Sequence, residues 1–338
     1  MTEYDTATIA GQRLMAGFDG TDFNDDIKYL IKDLKIGGLI LFSQNIRTPE
    51  QTRKLCASAQ EFAIGQDLPP LFLALDQEGG DVARLKKPYF TEFPGNPHIK
   101  EKKAAVDFAA ITAQELDKVN INMNLAPVMD FTAETEDSIM KNRAFTGSPK
   151  KIADLGITII NELQARGIMA CAKHFPGIGR TTLDSHLTLP QLDAEKAVLE
   201  KTDVIPFTAA KENAVAAIML SHILYTSIDS TWPASLSPSI AKQWLRDEMG
   251  YQGIVITDDL DMKAVKHDIK TCIHQILKSD IDIALICHKG PDIEKAFHCI
   301  KSGLSTDREL FEKGLISLQR ILKVKNAYLN QIHINPVP

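Results

Sequence analysis

Short apolar runs that alternate with longer segments of helical character constrain the fold of this 338-residue chain more than any other feature. Residues 25–35, between the first two runs, carry isoleucines and leucines at helical spacing. Parallel neighbouring strands need long crossovers, so this alternation predicts a parallel sheet. Eight such units favour an α/β fold of the closed (β/α)8 TIM-type barrel over an open doubly wound sheet. The predicted strands are 13–18, 37–42, 71–75, 121–131, 167–172, 216–220, 253–256 and 281–287.

The order of these units indicates one domain, a catalytic barrel over 1–338 with helices at its C-terminal end. Residues 291–328 have helical character and close the last unit, and we expect 332–338 to form a surface strap. No G-x-G-x-x-G follows the first predicted strand, which disfavours a dinucleotide-binding fold. No low-complexity linker, charge block or short repeat divides the chain.

Composition and charge limit the classes of partner and the cell compartment that we expect for this protein. The formal net charge of -6 argues against nucleic acid or an anionic membrane as a partner. The N-terminus lacks the basic region and apolar core of a signal peptide, and no apolar run approaches the roughly 20 residues that span a bilayer. Five cysteines without a C-x-x-C pair indicate free thiols in a reducing compartment. We therefore expect a cytoplasmic protein, a monomer or weak homodimer, that needs no cofactor.

Polar residues stand just past the C-terminal ends of four predicted strands. They are Asp76, Lys173 with His174, His222 and Asp258. In a barrel these strand ends converge on one face, which is where the active site lies. The sequence therefore predicts a single pocket built from residues that lie far apart in the chain.

The segment 173–186 carries the pattern of a proton-transfer site. Its central prolines and glycines predict a turn, and Asp184 and His186 follow two residues apart. In an extended backbone both side chains lie on one side, so the carboxylate can orient the imidazole and favour its charged form. The alternative is a turn in which the aspartate caps a helix and the histidine is solvated. A metal held by these two residues and His174 is disfavoured because Lys173 would repel a cation.

Two pairs of acidic residues that are close in sequence can each be interpreted in more than one way. Asp258 and Asp259 are neighbours on a strand and point to opposite sides, so we expect Asp258 in the pocket and Asp259 in a cap or salt bridge at the flanking helix. Asp76 precedes Glu78 and two glycines that let the backbone pass close to a ligand. Glu78 is either a second acid or a helix N-cap.

The remaining candidates are individually weaker. Arg84 and Arg143 offer planar forks of donors to hydroxyls or carboxylates, although each alone is more often a surface residue. His222 is either a site residue or a core histidine whose ring nitrogens are hydrogen-bonded within the protein. The other histidines show no metal-ligand spacing such as H-E-x-x-H, so we expect them to be structural or solvated and expect no metal site.

Several motifs, taken in order, resemble family-3 glycoside hydrolases, specifically the single-domain β-N-acetylglucosaminidases of the cell-wall recycling type. The resemblance covers nearly the whole chain. Its motifs are Gly11-Gln12-Arg13-Leu14-Met15-Ala16-Gly17-Phe18, Asp76-Gln77-Glu78-Gly79-Gly80, Ala126-Pro127-Val128-Met129-Asp130, Asn142-Arg143-Ala144-Phe145, Lys173-His174-Phe175-Pro176-Gly177, Asp184-Ser185-His186 and Thr257-Asp258-Asp259-Leu260-Asp261-Met262.

This resemblance implies a role for each candidate and the same (β/α)8 barrel. It implies that Asp258 is the catalytic nucleophile and that His186, supported by Asp184, is the acid/base of a retaining mechanism with a covalent glycosyl-enzyme intermediate. A small carbohydrate is then the substrate. The residues that match positions holding the terminal sugar are Asp76, Arg84, Arg143, Lys173 and His174.

Departures from the family pattern leave the substrate preference open. Asp81 stands where the family commonly has arginine, and Ile178 and Arg180 replace residues of the turn. The main expectation is an exo-acting hydrolase that releases β-linked N-acetylglucosamine from peptidoglycan fragments or chitooligosaccharides. The alternatives are a β-glucosidase of the same family, a phosphorylase that replaces water with phosphate, and a sugar-binding barrel without catalysis.

Overall fold

The computed structural model describes residues 4–132, 138–182 and 189–330. Within these ranges eight parallel strands follow one another around a barrel in chain order, and the eighth pairs with the first. A parallel bridge between Ile256 and Ile283 joins the seventh strand to the chain entering the eighth, which closes the barrel. The predicted (β/α)8 architecture is confirmed. The strands are β1 Leu14–Ala16, β2 Gly38–Ile40, β3 Phe72–Leu75, β4 Met123–Asn124, β5 Met169–Phe175, β6 Ala217–Leu220, β7 Ile254–Thr257 and β8 Ala284–Ile286.

Helices surround the barrel, and several begin at residues that cap them. Thr48 and Ser148 each accept a backbone N–H three residues ahead, and a proline follows each at the first helical position. A π-type helix, Pro238–Glu248, stands between β6 and β7. The α-helices are α1 Thr6–Gln12, α2 Asp25–Lys32, α3 Pro49–Gly65, α4 Lys102–Lys118, α5 Pro149–Ala165, α6 Lys196–Glu200, α7 Ile205–Glu212, α8 Ile269–Lys278, α9 Pro291–Thr306 and α10 Arg308–Leu329.

Each predicted apolar run overlaps one of the barrel strands, and the largest differences from expectation lie at the fourth and fifth runs. The fourth run, predicted over 121–131, forms a ladder only at β4, and the chain then passes through Pro127, which has no N–H to donate. The fifth strand continues beyond its predicted end, so that Lys173 and His174 belong to β5. The predicted strap 332–338 lies outside the described residues.

Alternation along the strands divides the core into two layers. On β1, Met15 faces the barrel interior whereas Leu14 and Ala16 pack against the helices. The residues filling the interior include Ile40, Phe72, Ala74, Met123, Met169, Cys171, Met219, Ile254, Ile256 and Leu285. Among the described helices, none combines the length and apolar character needed to cross a bilayer.

Candidate active site

A cavity of about 370 Å³ opens at the C-terminal ends of the barrel strands. Its volume lies in the range of small-molecule sites. The residues lining it are Ile40, Phe42, Asp76, Val82, Arg84, Leu125, Ile139, Arg143, Lys173, His174, Ile178, Met219, Asp258, Asp259, Met262, Leu285, Cys287 and His288. The described site residues predicted from the sequence therefore meet in one place, with the exception of His222.

Strand alternation explains why these side chains face the cavity. Ile256 points into the barrel, and Asp258 is the next residue on the same side of the strand. Cys171 and Lys173 have the same relation on β5. His174 would point outward by alternation, but the register shifts after Lys173 and both side chains line the cavity.

Asp76 lies between two cations. Its carboxylate accepts hydrogen bonds from Lys173 Nζ at 2.7 Å and Arg84 Nη2 at 2.9 Å. Burial raises the pKa of Asp76, but the two cations outweigh burial and hold the pKa well below its ordinary value. Asp76 is therefore an ionised hydrogen-bond acceptor, suited to sugar hydroxyls.

Glu78 forms a second buried pair behind the first. Arg143 donates to both of its oxygens, at 2.7 and 3.0 Å, and Lys173 Nζ lies 2.7 Å from Oε1. Burial raises the pKa of Glu78, but Lys173 and Arg143 lower it further than burial raises it. The expected alternative of a helix N-cap is wrong, because Glu78 belongs to a short strand, Gln77–Gly79. Lys173 is thus held by two carboxylates and remains charged.

A hairpin brings Arg84 back over Asp76. The strand Gln77–Gly79 pairs antiparallel with Val82–Ala83, and Gln77 Oε1 accepts the backbone N–H groups of Arg84 and of the residue after it. A Cβ on Gly79 would lie 3.2 Å from Gly95 Cα. The glycines at this turn therefore permit close approach of another backbone segment, rather than of a ligand as we expected.

His174 is oriented from behind by a buried carboxylate. Asp130 Oδ2 lies 2.8 Å from His174 Nδ1, and Oδ1 accepts the backbone N–H of Ile178 at 2.9 Å. Because Nδ1 is engaged with the carboxylate, the orientation leaves Nε2 for a ligand in the cavity. Asp130 thus fixes both the imidazole and the first turn of the loop that follows.

Asp258 differs from the other carboxylates of the cavity. Within the described ranges no cation forms an ion pair with it, and its Oδ1 accepts the backbone N–H of Asp259 at 2.8 Å. Burial raises the pKa of Asp258, but the nearby His222 and His174 outweigh burial and lower the pKa below its ordinary value. The carboxylate is therefore ionised and free to attack a bound electrophile.

By strand alternation, Asp259 and His222 point away from the barrel interior. Asp259 lines the cavity and does not cap the flanking helix; its Oδ1 accepts the N–H groups of Asp261 and Cys287. Its Oδ2 lies 3.9 Å from His288 Nδ1, so the expected salt bridge has a counterpart just past β8 and not at the helix. His222 does not line the cavity. Its Nδ1 lies 2.5 Å from Ser235 Oγ and its Nε2 lies 2.8 Å from the Asp259 carbonyl oxygen. These contacts match the interpretation of His222 as a hydrogen-bonded core histidine. Strand alternation after Met219, which faces the barrel interior, places His222 on the outer side.

The predicted acid/base pair, Asp184 and His186, lies outside the described residues. The chain leading toward it is anchored at Arg180, whose Nε donates to Asp203 Oδ2 at 2.8 Å. Ile178, another departure from the family pattern, lines the cavity, whereas Asp81 is exposed in the hairpin turn.

Metal and thiol chemistry have little support among the described residues. The ligand atoms of Asp259, Asp261 and His288 lie within 4.8 Å of one another, but their carboxylates already accept backbone N–H groups and two of the three residues are exposed. Burial raises the pKa of the Cys171 thiol to about 12, and the pKa of Cys287 is raised in the same direction. Neither cysteine is activated as a nucleophile.

Sequence reasoning missed Asp130 as the partner of His174, and it treated His288 as structural or solvated. His288 follows a strand end in the same way as the predicted site residues, which is the signal that would have included it. Phe42 also stands just past a strand, but an apolar residue there gives no comparable signal.

Comparison with known proteins places this site in a family. The profile described as "Glycosyl hydrolase family 3 N terminal domain" matches residues 8–324. The chain belongs to glycosyl hydrolase family 3. It is 32% identical over 294 residues to a protein named beta-hexosaminidase from Pseudomonas aeruginosa (strain LESB58), covering 85% of this chain and 86% of that one.

Longer members of the family are similar as well. The chain is 31% identical to beta-hexosaminidase A of Pseudoalteromonas piscicida over 90% of its own length but only 56% of that protein. The structure of a family 3 β-N-acetylglucosaminidase from Paenibacillus sp. str. FPU-7 superimposes with a TM-score of 0.93 at 32% identity, covering 96% of this chain and 63% of that one. The chain thus spans 56% and 63% of the length of these two larger proteins.

Proposed function

We propose that this protein is a β-N-acetylhexosaminidase that releases terminal N-acetylglucosamine from chitooligosaccharides or peptidoglycan fragments. The observation that carries the proposal is the ionised Asp258 carboxylate, which faces the same cavity as the cation-bound Asp76. The names of the family 3 relatives support the same activity.

Some residues of the cavity bind the sugar, and others carry out the chemistry. Asp76, Arg84, Lys173 and His174 present charged and polar groups to the hydroxyls of the terminal sugar. These groups are held by other protein atoms before substrate arrives, so little reorganisation is needed on binding. Arg143 contributes through its pair with Glu78 and lines the wall.

The reaction proceeds in two balanced steps. Asp258 attacks the anomeric carbon and forms a glycosyl ester while the bond to the leaving oxygen breaks, and His186 gives that oxygen its proton. Water then attacks the same carbon, His186 takes the water proton, and the ester bond to Asp258 breaks. The anomeric configuration is retained. Asp184 orients His186 in this scheme, which follows the sequence pattern.

The decisive experiment traps the intermediate. A 5-fluoro N-acetylglucosaminyl fluoride, which keeps the 2-acetamido group, should label the protein once with loss of fluoride from C1, and peptide mapping should locate the label on Asp258. Proton NMR of early products should show the β-anomer. Labelling at another residue, or an inverted first product, would contradict the assigned nucleophile.

Substrate comparison separates the related activities. Higher kcat/KM on a chromogenic β-N-acetylglucosaminide than on the matching β-glucoside distinguishes the enzyme from a β-glucosidase. Rates with and without inorganic phosphate identify a phosphorylase, because phosphate would then raise the rate and appear in the product. Binding of chitooligosaccharide without turnover would indicate the sugar-binding alternative.

The cellular setting follows from the sequence expectation. We propose that the protein acts in the cytoplasm as a monomer or weak homodimer and as one catalytic domain. Sedimentation over a range of protein concentrations measures the association, and fractionation of the source cells measures the location.

A further inference from the structure

Two planar side chains stack with nearly parallel rings among the residues that line the cavity. Phe42, just past β2, and His288, just past β8, stack with ring centroids 6.3 Å apart and planes inclined by 14°. The guanidinium of Arg84 also lies over the Phe42 ring, 5.0 Å from its centroid. All three side chains line the cavity. We call the two stacked rings the Phe42–His288 shelf.

The exposure of the lining residues shows which end of the cavity the shelf occupies. The side chain of Lys173 is 3% exposed, that of Arg84 is 23% exposed and that of His288 is 71% exposed. Lys173 therefore lies at the floor and His288 at the mouth. An enzyme that removes a terminal sugar holds that sugar at the floor, so the next sugar along the chain emerges beside the shelf.

The protein fixes the His288 ring in this place. Asp261 Oδ2 accepts the backbone N–H of His288 at 2.9 Å and lies 3.3 Å from its Nδ1. A ring held in this way loses little freedom when a ligand packs on it. The apolar face of a pyranose ring, which carries only C–H groups, fits such a planar surface.

The charge at the mouth selects among pyranoses. Asp259 and Asp261 place two carboxylates beside the shelf. The cations that line the described cavity are engaged elsewhere, Arg84 with Asp76 and Arg143 with Glu78. An anionic sugar at the shelf would therefore meet like charge, and no lysine or arginine that lines the cavity within the described ranges is free to pair with it.

We propose that the Phe42–His288 shelf binds the sugar on the leaving side of the scissile bond and that it takes an uncharged pyranose. The second N-acetylglucosamine of a chitooligosaccharide has this chemistry, whereas a muramic-acid-type sugar carries a carboxylate. This inference rests on the proposed hydrolase function and selects between its two classes of substrate.

The first test compares substrates with and without a second ring. His288→Ala should lower kcat/KM for N,N′-diacetylchitobiose about fivefold more than for methyl β-N-acetylglucosaminide, through KM. His288→Phe keeps a flat ring and should restore most of the loss. His298→Ala is the matched control, since His298 is similarly exposed, lies beside a carboxylate and a phenylalanine, and is not part of the cavity. Equal losses on both substrates would overturn the shelf.

The second test concerns charge. Wild-type enzyme should cleave diacetylchitobiose with a kcat/KM at least about tenfold above that for a disaccharide whose leaving sugar bears a lactyl carboxylate. Asp261→Asn keeps the acceptor for the His288 N–H and should narrow the difference about threefold. Faster cleavage of the acidic disaccharide would overturn the preference. Failure of wild-type enzyme on all three substrates would instead overturn the proposed function.

Discussion

The two ends of the barrel each carry a buried network of carboxylates and cations, and the networks differ in what they enclose. At the N-terminal end, Asp282 pairs with Arg246 and Arg320, and Arg320 also holds Asp280 at 2.8 and 2.9 Å. Arg13 donates to the carbonyl oxygens of residues 281 and 282. These groups pair with one another around the start of β8, although Arg13 Nη1 has no hydrogen-bond partner within the described ranges.

The network at the C-terminal end instead borders a cavity. Lys173 and the two arginines neutralise Asp76 and Glu78, while Asp258 remains without an ion pair among the described residues. Asp282 and Asp280 are both ion-paired, whereas Asp258 faces a cavity without an ion pair in the described part of the chain, and this difference distinguishes a site for chemistry from a structural joint. The comparison assigns activity to one network and stability to the other.

The largest effect should come from Asp258→Asn. We expect kcat to fall about 10⁴-fold or more, since the amide cannot form the glycosyl ester. The thermal midpoint should change little, because Asp258 makes no ion pair among the described residues and the amide keeps an oxygen for the Asp259 N–H. Rate measurements on a chromogenic substrate and calorimetry on the same preparations check both parts. A large fall in the thermal midpoint would weaken the contrast between the two ends.

Asp282→Asn is the matched change at the opposite end. It leaves Arg246 and Arg320 buried with half of their charge compensation, and we expect a loss of about 3–5 kcal/mol in the free energy of unfolding. Denaturant titration measures the loss. The kcat of the folded fraction should remain within about twofold of wild type, and a loss of activity without a loss of stability would contradict the assignment.

The expected effect of Glu78→Gln on activity lies between those of Asp258→Asn and Asp282→Asn. The amide no longer neutralises Arg143 and Lys173, so Lys173 should shift relative to Asp76 and the terminal sugar. We expect kcat/KM to fall about 10- to 100-fold, as for a misplaced positioning group. An unaltered kcat/KM would show that Asp76 alone positions Lys173.

The smallest effect concerns Lys325, which is buried at the N-terminal end and donates to Gln12 Oε1 at 2.7 Å and to the Gly37 carbonyl oxygen at 2.9 Å. Burial lowers its pKa well below 10.5, so the unfolded chain binds more protons than the folded one between the two values. Stability should therefore rise with pH through that window. Lys325→Met should lack this rise, which urea titrations at several pH values measure.

Much of the fold followed from periodicity. The eight apolar runs indicated the strands because fully buried parallel strands are continuously apolar, and the helical spacing within 25–35 corresponds to α2, Asp25–Lys32. The short ladder of β4 could not be predicted, since it depends on how the chain beyond Pro127 meets its neighbour. Alternation from the barrel interior accounts for Asp76, Lys173 and Asp258.

The rest of the site depends on contacts across the chain that no local pattern contains. Asp130 and His174 are 44 residues apart, and Arg143 and Glu78 are 65 apart. Periodicity gives the side of a strand on which each residue lies, but it does not give the partner. The only sequence signal of the hairpin that brings Arg84 to Asp76 was its two glycines. We expected them to admit a ligand, whereas they admit another backbone segment.

The bridge that closes the barrel has a consequence for protein engineering. Beside the single Ile256–Ile283 bridge, side chains join β7 to β8: Asp282 Oδ2 accepts from Val255 N at 2.8 Å, and Thr257 Oγ1 accepts from Leu285 N at 3.0 Å. Circular permutants with new termini between these strands would cut the covalent link at a junction that has a single bridge and no strand ladder. New ends placed between other units should preserve the alignment of Asp258.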